Sequence, residues 1–488
     1  CAAMTNAPST PTPTDHGQLP DWRREDLPEP LPFSFGNALR TIGPGAILLV
    51  GSIGGGEWIV GPMMTVEYGT GILWIATLGI ALQAIFNLEA VRYTLYTGEP
   101  ILTGVMRLNP GARLWAPFYI FIGVAQLATP AVAAGCATVL FGAFAGRMPV
   151  ESDQPVLSGI GVVVILVAAG LLVSGRSIER LLERVSWGMI LFIFSFLILA
   201  NVLCVPWETW QRTMTGFVVV QPLPDNINLV MLGLFAATAG SGGLGNLAIS
   251  NWFRDKGFAM GAHVGGIGGA LAHDHQELKS VGAVFPMTDD NHRRWKTWWS
   301  YARIDQQVLW GVGCLVGMFL NVNLAVSIVP PGTELSGISA GAFQADYLGR
   351  QFGQWLWLLT LLNGFWILFS THMGNTDILV RTSADILWAA SPKMQRHSAS
   401  TLYAALLGGL TVWALIAIHL GNALQLFQVL GIVASPIMAI AAVQILRVNT
   451  RFLPPELRPP MWRRVALLGS VVVYGGISVA LIRNLMSG

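Results

Sequence analysis

Charge is the scarcest property of this sequence. Only 11% of its 488 residues are charged and 53% are hydrophobic, whereas about a quarter of the residues of a soluble domain are normally charged. Water therefore cannot be the main solvent of this chain. Cysteine is also rare, with four residues, so no disulfide framework is predicted. A formal net charge of +2, without a basic stripe that includes aromatic residues, argues against nucleic-acid binding.

Long apolar runs dominate the rest of the sequence. A run of roughly twenty residues crosses a hydrocarbon core of about 30 Å as a helix. We predict about eleven such helices, near residues 43–67, 71–92, 114–144, 156–174, 185–205, 227–252, 304–329, 354–388, 398–420, 422–446 and 463–485. The predicted fold class is therefore all-α integral membrane, with the lipid bilayer as a partner; the sequence does not indicate an oligomeric state.

Arginine and lysine are concentrated in alternate loops, which indicates orientation because short basic loops favour the cytoplasm. The pattern predicts a protein of the plasma (bacterial inner) membrane with a cytoplasmic N-terminus and an external C-terminus. Residues 1–40 begin with a Pro/Thr/Ser-rich stretch and are predicted to be a disordered cytoplasmic tail. The first forty residues lack the apolar core of a signal peptide. Cys1 could be the acylated first residue of a lipoprotein, but we expect a truncated or mis-started chain with its natural start at Met4.

Two spans contain glycine runs at matching positions. The first holds Gly51-Ser52-Ile53-Gly54-Gly55-Gly56-Glu57, and the sixth holds Gly240-Ser241-Gly242-Gly243-Leu244-Gly245-Asn246. Paired interrupted helices indicate an inverted repeat with a substrate site between the breaks. We therefore predict a transporter core at 41–450, with repeats at about 41–205 and 226–447, a cytoplasmic loop at 254–297 and an extra helix at 451–488. The alternative is that these glycines only allow helices to pack closely.

Several motifs resemble one family. They are Gly43-Pro44-Gly45, Gly69, Gln83, Arg92, Thr97-Gly98, Ala128-Thr129-Pro130, the polar stretch Ser370–Asp377, Gln428-Val429-Leu430 and Pro436. Over about residues 40–450 the chain resembles the Nramp divalent metal transporters. The resemblance implies a LeuT-type fold of five plus five inverted spans, with broken helices 1 and 6 and one extra helix. It also implies secondary transport by alternating access.

The site departs from that family. The metal-binding aspartate is replaced by Gly54 and the asparagine by Glu57, while the Met-Pro-His of the sixth span becomes Gly240-Ser241-Gly242. The acidic pair of the third span, associated with proton movement, becomes Pro130 and Ala133. The resemblance therefore implies a transporter more firmly than it implies manganese, iron or proton coupling.

The predicted substrate site lies between the two glycine runs. Its residues are Gly54, Gly55, Gly56, Glu57, Thr238, Gly240, Ser241, Gly242, Asn246 and Gln428, with Glu57 as the metal ligand. Oxygen donors suit a hard cation such as Mg²⁺ or a coupling Na⁺, and a coupling proton is also possible; no tightly bound cofactor is predicted. The same runs expose N–H groups that attract carboxylates, so an amino acid or small organic acid is the alternative substrate.

Three other groups of polar residues are candidates for function. Asp377 and His372 lie in the eighth span, and Glu89 with Arg92 is expected to form an ion pair or to snorkel. His273-Asp274-His275 with Glu277 invites a metal site but fits no standard spacing. Without a catalytic triad, a helical His-Glu-x-x-His or a phosphate loop, an enzyme is not predicted; a non-transporting sensor is a further alternative.

Overall fold

The computed structural model describes residues 19–174, 178–268, 278–333, 335 and 337–487. Within these residues, ten helices are long and apolar enough to span a membrane: Pro44–Tyr68, Thr70–Thr97, Ala112–Ala145, Glu151–Ser174, Leu182–Cys204, Asp289–Ile328, Gln354–Ala390, Ala399–Ala417, Ala423–Phe452 and Met461–Arg483. The interrupted pair Leu229–Thr238 and Leu244–Asp255 makes the eleventh. We number them spans 1 to 11 in chain order. The prediction of an all-α integral membrane protein with about eleven spans is confirmed.

A short helix, Phe35–Thr41, precedes span 1. Other short helices connect the spans: Ile101–Met106, Trp207–Val218 and Phe343–Phe352, with 3₁₀ turns at Ala259–His263, Met394–Arg396 and Pro455–Leu457. Span 1 is the most deeply buried of the ten long spans, since 94% of its most apolar stretch is buried inside the protein. The corresponding value for spans 9 and 11 is 22%. The glycine run of span 1 therefore lies deep inside the bundle, away from bulk water.

Spans 1, 6 and 7 depart from regular α-helix within their length. Span 1 stays helical but widens into a π-helix at Ile53–Val60, and span 7 does the same at Ile304–Val312. Span 6 is fully interrupted between Thr238 and Leu244. The predicted break of span 1 thus takes the form of a wider helical turn, a feature often found at functional sites.

Span 3 contains a break that the sequence prediction of one continuous span at 114–144 missed. Its two helices are Ala112–Leu127 and Ala131–Ala145. Pro130 stands between them, and because proline has no N–H it cannot continue the hydrogen-bond ladder of the first helix. Span 7 also differs from its prediction, since its helix starts at Asp289 rather than near 304. The predicted loop 254–297 is shorter as a result.

The N-terminal segment from residue 19 onward is ordered, which corrects the predicted tail for that part; residues 1–18 lie outside the described chain. Arg23–Arg24 pairs in parallel with Ala283–Val284, and Leu27 is fully buried. Arg107 donates to the Pro20 carbonyl at 2.8 Å and forms an ion pair with Glu99. Although burial raises the pKa of Glu99, the Arg107 guanidinium and the other donors lower it below its usual value.

Candidate functional site

The break in span 6 depends on glycine. Gly240, Gly242 and Gly243 have φ values of 98°, 70° and 61°, a left-handed region that residues with a Cβ rarely adopt. The chain therefore leaves the helix after Thr238 and re-enters it at Leu244. Interrupted helices leave backbone N–H and C=O groups without helical partners.

Side-chain oxygens from three other spans accept hydrogen bonds from the N–H groups of this break. Glu57 Oε1 accepts from Gly240 N at 3.1 Å. Gln83 Oε1, in span 2, accepts from the backbone N–H groups of Ser241 and Gly242 at 3.0 and 3.1 Å. Gln126 Oε1, in span 3, accepts from Leu244 N at 2.9 Å. Four donors that could have held an anionic substrate are thus already paired.

Gln83 is the central residue of this arrangement. Its Nε2 donates to the Ala239 carbonyl at 2.8 Å and to the Tyr474 hydroxyl of span 11 at 3.0 Å. Its Oε1 also accepts from Asn246 Nδ2 at 3.2 Å. The extra helix therefore contributes a side chain to the support of the span 6 break.

The three consecutive glycines of span 1 allow three different helices to approach closely. A Cβ on Gly54 would lie 1.9 Å from Thr371 Oγ1 of span 8, and one on Gly55 would lie 2.5 Å from the Phe427 ring of span 10. A Cβ on Gly56 would lie 1.9 Å from the Thr238 carbonyl oxygen. Close packing, the alternative left open by the sequence, therefore accounts for each of these glycines.

A small cavity lies between the two breaks. About 30 Å³ of it is open to the centres of water molecules, which is room for one or two waters. It is lined by Gly51, Ser52, Gly55, Gly56, Gln126, Leu127, Val132, Thr238, Gly240, Ser241, Gly242, Gly245, Thr371, Asn375, Phe427 and Leu430. The polar lining consists of hydroxyl, amide and backbone groups, and this set contains no thioether, thiol, imidazole or carboxylate.

Glu57 lies next to this cavity without lining it. The residue is fully buried, and its Oε1 accepts the Gly240 bond described above. Its Oε2 has no hydrogen-bond partner among the described residues. Because a buried carboxylate is costly without a partner for its charge, the free oxygen can accept a cation or carry a proton.

The structure brings most of the predicted site residues together. Gly55, Gly56, Thr238, Gly240, Ser241 and Gly242 line the cavity, with Gly54 packed against Thr371 at its edge. Two predictions need correction. Asn246 does not line the cavity but bonds Gln83 and Asn87, and Gln428 is turned towards the Met231 sulfur at 3.7 Å because its neighbour Phe427 occupies the cavity wall.

Ten lining residues were not among the predicted site residues: Gly51, Ser52, Gln126, Leu127, Val132, Gly245, Thr371, Asn375, Phe427 and Leu430. Thr371 and Asn375 are four residues apart in the polar stretch of span 8, so they share one helix face. That spacing was a usable signal. Gln126 had a weaker one, since it is a polar residue in an otherwise apolar run.

The other polar candidates have structural roles or lie elsewhere. Asp377 bonds Arg381 at 2.9 Å, the Trp252 indole at 3.0 Å and the Tyr403 hydroxyl at 2.8 Å, while His372 is buried outside the cavity lining. Glu89 and Arg92 form the expected ion pair. The loop group His273–Glu277 lies outside the described residues. Among those that are described, no three His, Cys, Asp or Glu side chains are grouped as a metal site.

Comparison with known proteins identifies the architecture. No protein-family model matches the sequence. A curated relative, an uncharacterized protein of Pasteurella multocida, is 24% identical over 158 residues, which are 32% of this chain and 36% of that protein. The match thus spans about a third of the relative's length.

Solved structures of the Eremococcus coleocola manganese transporter match nearly the whole chain. A histidine-to-alanine mutant has a TM-score of 0.67 at 16% identity, with 96% of this chain and 90% of that chain covered. A complex with an aromatic bis-isothiourea substituted compound has a TM-score of 0.65 at 15% identity, covering 93% and 89%. The chain has the fold of this transporter. The fold implied by the Nramp resemblance is therefore confirmed.

Proposed function

We propose that this protein is a membrane transporter that moves a small hard cation by alternating access through the cavity between spans 1 and 6. The observation that carries the proposal is Glu57, a fully buried carboxylate with one unpartnered oxygen, beside a water-sized cavity with an oxygen-rich polar lining. The fold shared with a manganese transporter supports the transporter class. A divalent metal is the first candidate substrate, with Na⁺ or H⁺ as a coupling ion.

The chemistry of the lining favours hard cations. Mg²⁺ and Ca²⁺ prefer oxygen ligands, whereas softer transition metals gain from sulfur or imidazole ligands. The cavity offers hydroxyl oxygens from Ser52, Ser241 and Thr371 and the amide of Asn375. We therefore expect Fe²⁺ to bind poorly and Mn²⁺, which also accepts oxygen ligands, to gain no advantage over Mg²⁺.

An organic anion is the less favoured substrate. Its carboxylate would need the N–H groups of the span 6 break, yet Glu57, Gln83 and Gln126 already accept their hydrogen bonds. A cavity of about 30 Å³ is also too small for a solute of several heavy atoms without a change of conformation.

The basic loops support an orientation with the N-terminus in the cytoplasm and the C-terminus outside. On this proposal, the ordered segment Arg23–Arg24 and the connection between spans 6 and 7 face the cytoplasm. A bacterial inner membrane is the proposed location.

Glu57→Gln tests the cation proposal because it removes the charge and keeps the size. On the purified full-length protein, calorimetry with Mg²⁺, Mn²⁺ and Na⁺ should show a large loss of affinity for the preferred ion, and proteoliposome uptake of that ion should stop. Glu67→Gln, in the same helix but exposed, is the matched control and should behave as the unmodified protein. Tight Mn²⁺ binding that survives Glu57→Gln would contradict this account of the site.

A further inference from the structure

Two buried arginines share one carboxylate where spans 2, 7, 10 and 11 meet. Arg92 pairs with Glu89 at 2.7 Å, and Arg463 pairs with the same carboxylate at 3.0 Å. Both arginines are 5% exposed, and Glu89 is fully buried. The group therefore holds one positive charge in excess, which is costly at low exposure unless an anion balances it.

Arg463 has guanidinium nitrogens that donate to no acceptor in the described chain, whereas each guanidinium nitrogen of Arg92 donates a hydrogen bond. Arg92 uses Nε and Nη2 on Glu89 and Nη1 on the Leu457 carbonyl. Arg463 uses only Nη1, on Glu89, so its Nε and Nη2 have no acceptor among the described residues. Arg303 is exposed and lies one helical turn after Trp299, whose ring is covered by Arg463, so it adds a further positive charge on that side of the cluster. Its side chain donates to Ser300 Oγ.

Aromatic side chains fix these guanidinium groups at the start of span 11. Arg92 and Arg463 lie over the Trp299 ring at 4.0 and 5.0 Å, and Arg463 also lies 4.8 Å from the Trp462 ring. Trp462 is 55% exposed and Met461 is 72% exposed. Exposed tryptophan at the end of a spanning helix is typical of the level of the lipid headgroups.

An exposed apolar stripe continues from this point along span 11. Its members follow helical spacing and are Met461, Val465, Leu468, Val472 and Val479, each about half exposed or more. Such a stripe suits acyl chains, whereas the arginines suit a phosphate group, which accepts bonds from guanidinium forks. Phosphate and acyl chains occur together in a phospholipid.

We propose that Arg463 and Arg303, with Trp462, form a binding site for the headgroup of an anionic phospholipid whose chains lie along span 11. Basic pockets between spanning helices are known to take such headgroups. The phosphate would accept hydrogen bonds from the free N–H groups of Arg463 and from Arg303. Its negative charge would balance the positive charge of the arginines that Glu89 does not neutralise. A zwitterionic lipid fits less well because its ammonium group would face the same cluster.

The test uses the full-length protein in detergent, titrated with phosphatidylglycerol, phosphatidylcholine or inorganic phosphate, with native mass spectrometry and thermal unfolding as readouts. We expect retained phosphatidylglycerol and a higher Tm with that lipid alone. Arg303→Gln, which leaves the Glu89 pairs intact, should weaken phosphatidylglycerol binding by about fivefold. Arg350→Gln, an exposed arginine on the short helix before span 8, is the control and should change nothing.

Three outcomes would overturn the proposal. They are equal binding of the two lipids, an Arg303→Gln variant that binds phosphatidylglycerol as tightly as the Arg350→Gln control, and displacement of the lipid by millimolar inorganic phosphate, which would indicate a site for a free anion. Arg463→Gln gives a second check, with a drawback that Arg303→Gln does not have. It should lose the lipid, but it also removes a partner of Glu89, so its Tm without lipid must be measured beside it.

Discussion

Replacing Gln83 by leucine is expected to destabilise the protein more than any other single glutamine change in its core. The change leaves the N–H groups of Ser241 and Gly242 without their acceptor and removes the donor to the Ala239 carbonyl. Each buried polar group left unpaired costs about 1–3 kcal/mol. Three unpaired backbone groups therefore cost about 3–9 kcal/mol, and water entering from the adjacent cavity favours the lower half of that range.

Gln126→Leu provides the matched comparison because it leaves two backbone groups of the same break unpaired, the N–H of Leu244 and the carbonyl of Gly242. Its expected cost is about 2–6 kcal/mol. Gln221→Leu, at an exposed position, should cost nothing measurable. Unfolding of the purified variants, measured in the same detergent, gives their order of stability. Uptake in proteoliposomes should fall in the same order. A Gln83→Leu variant as stable as Gln126→Leu would refute this account of the break.

Two further predictions concern packing and orientation. Gly56→Ala should lower the unfolding midpoint and uptake, because its Cβ would lie 1.9 Å from the Thr238 carbonyl oxygen. Gly408→Ala, in span 9 and with no atom within 4 Å of its Cβ, should be tolerated; equal effects would contradict the packing role. In a cysteine-free background, single cysteines in the 206–226 and 331–349 loops should react with an impermeant reagent from outside and one near Lys393 should not. The inverse labelling pattern would reverse the proposed orientation.

The number of spans and the break in span 6 could be predicted because both are local properties of the chain. Hydrophobic run length sets the first. For the second, Gly240, Gly242 and Gly243 permit backbone angles that other residues avoid. Neither the number of spans nor this break depends on which helices are neighbours in the folded protein.

The form of span 1 could not be predicted from its glycines. A run of three glycines is compatible with an unwound segment and with close helix contacts, and the choice depends on partners far away in sequence. Gly54 meets Thr371, Gly55 meets Phe427 and Gly56 meets Thr238 only after the chain has folded. The helix therefore stays intact and widens, since each glycine face is covered by another span.

The errors in the predicted site have a similar origin. Gln428 was assigned from its place in a motif, but adjacent helix residues point about 100° apart, and the structure gives the cavity wall to Phe427 instead. For the N-terminal segment, composition alone predicts disorder. Its order from residue 19 depends on contacts with the connection between spans 6 and 7, which composition does not reveal.

The hydrogen bonds around Glu57 separate its structural role from its charge. Its Oε1 accepts from Gly240 N, and the amide oxygen of glutamine can accept the same bond. Glu57→Gln therefore keeps the contact between spans 1 and 6 and replaces the unpartnered, charged Oε2 with a neutral NH₂ group. If that variant folds with an unchanged Tm but no longer binds or moves a cation, the carboxylate acts on the substrate. If the variant transports normally, the carboxylate charge is not needed for transport. The N–H groups that now donate to Gln83 and Gln126 would then have to break those bonds and bind an anionic substrate.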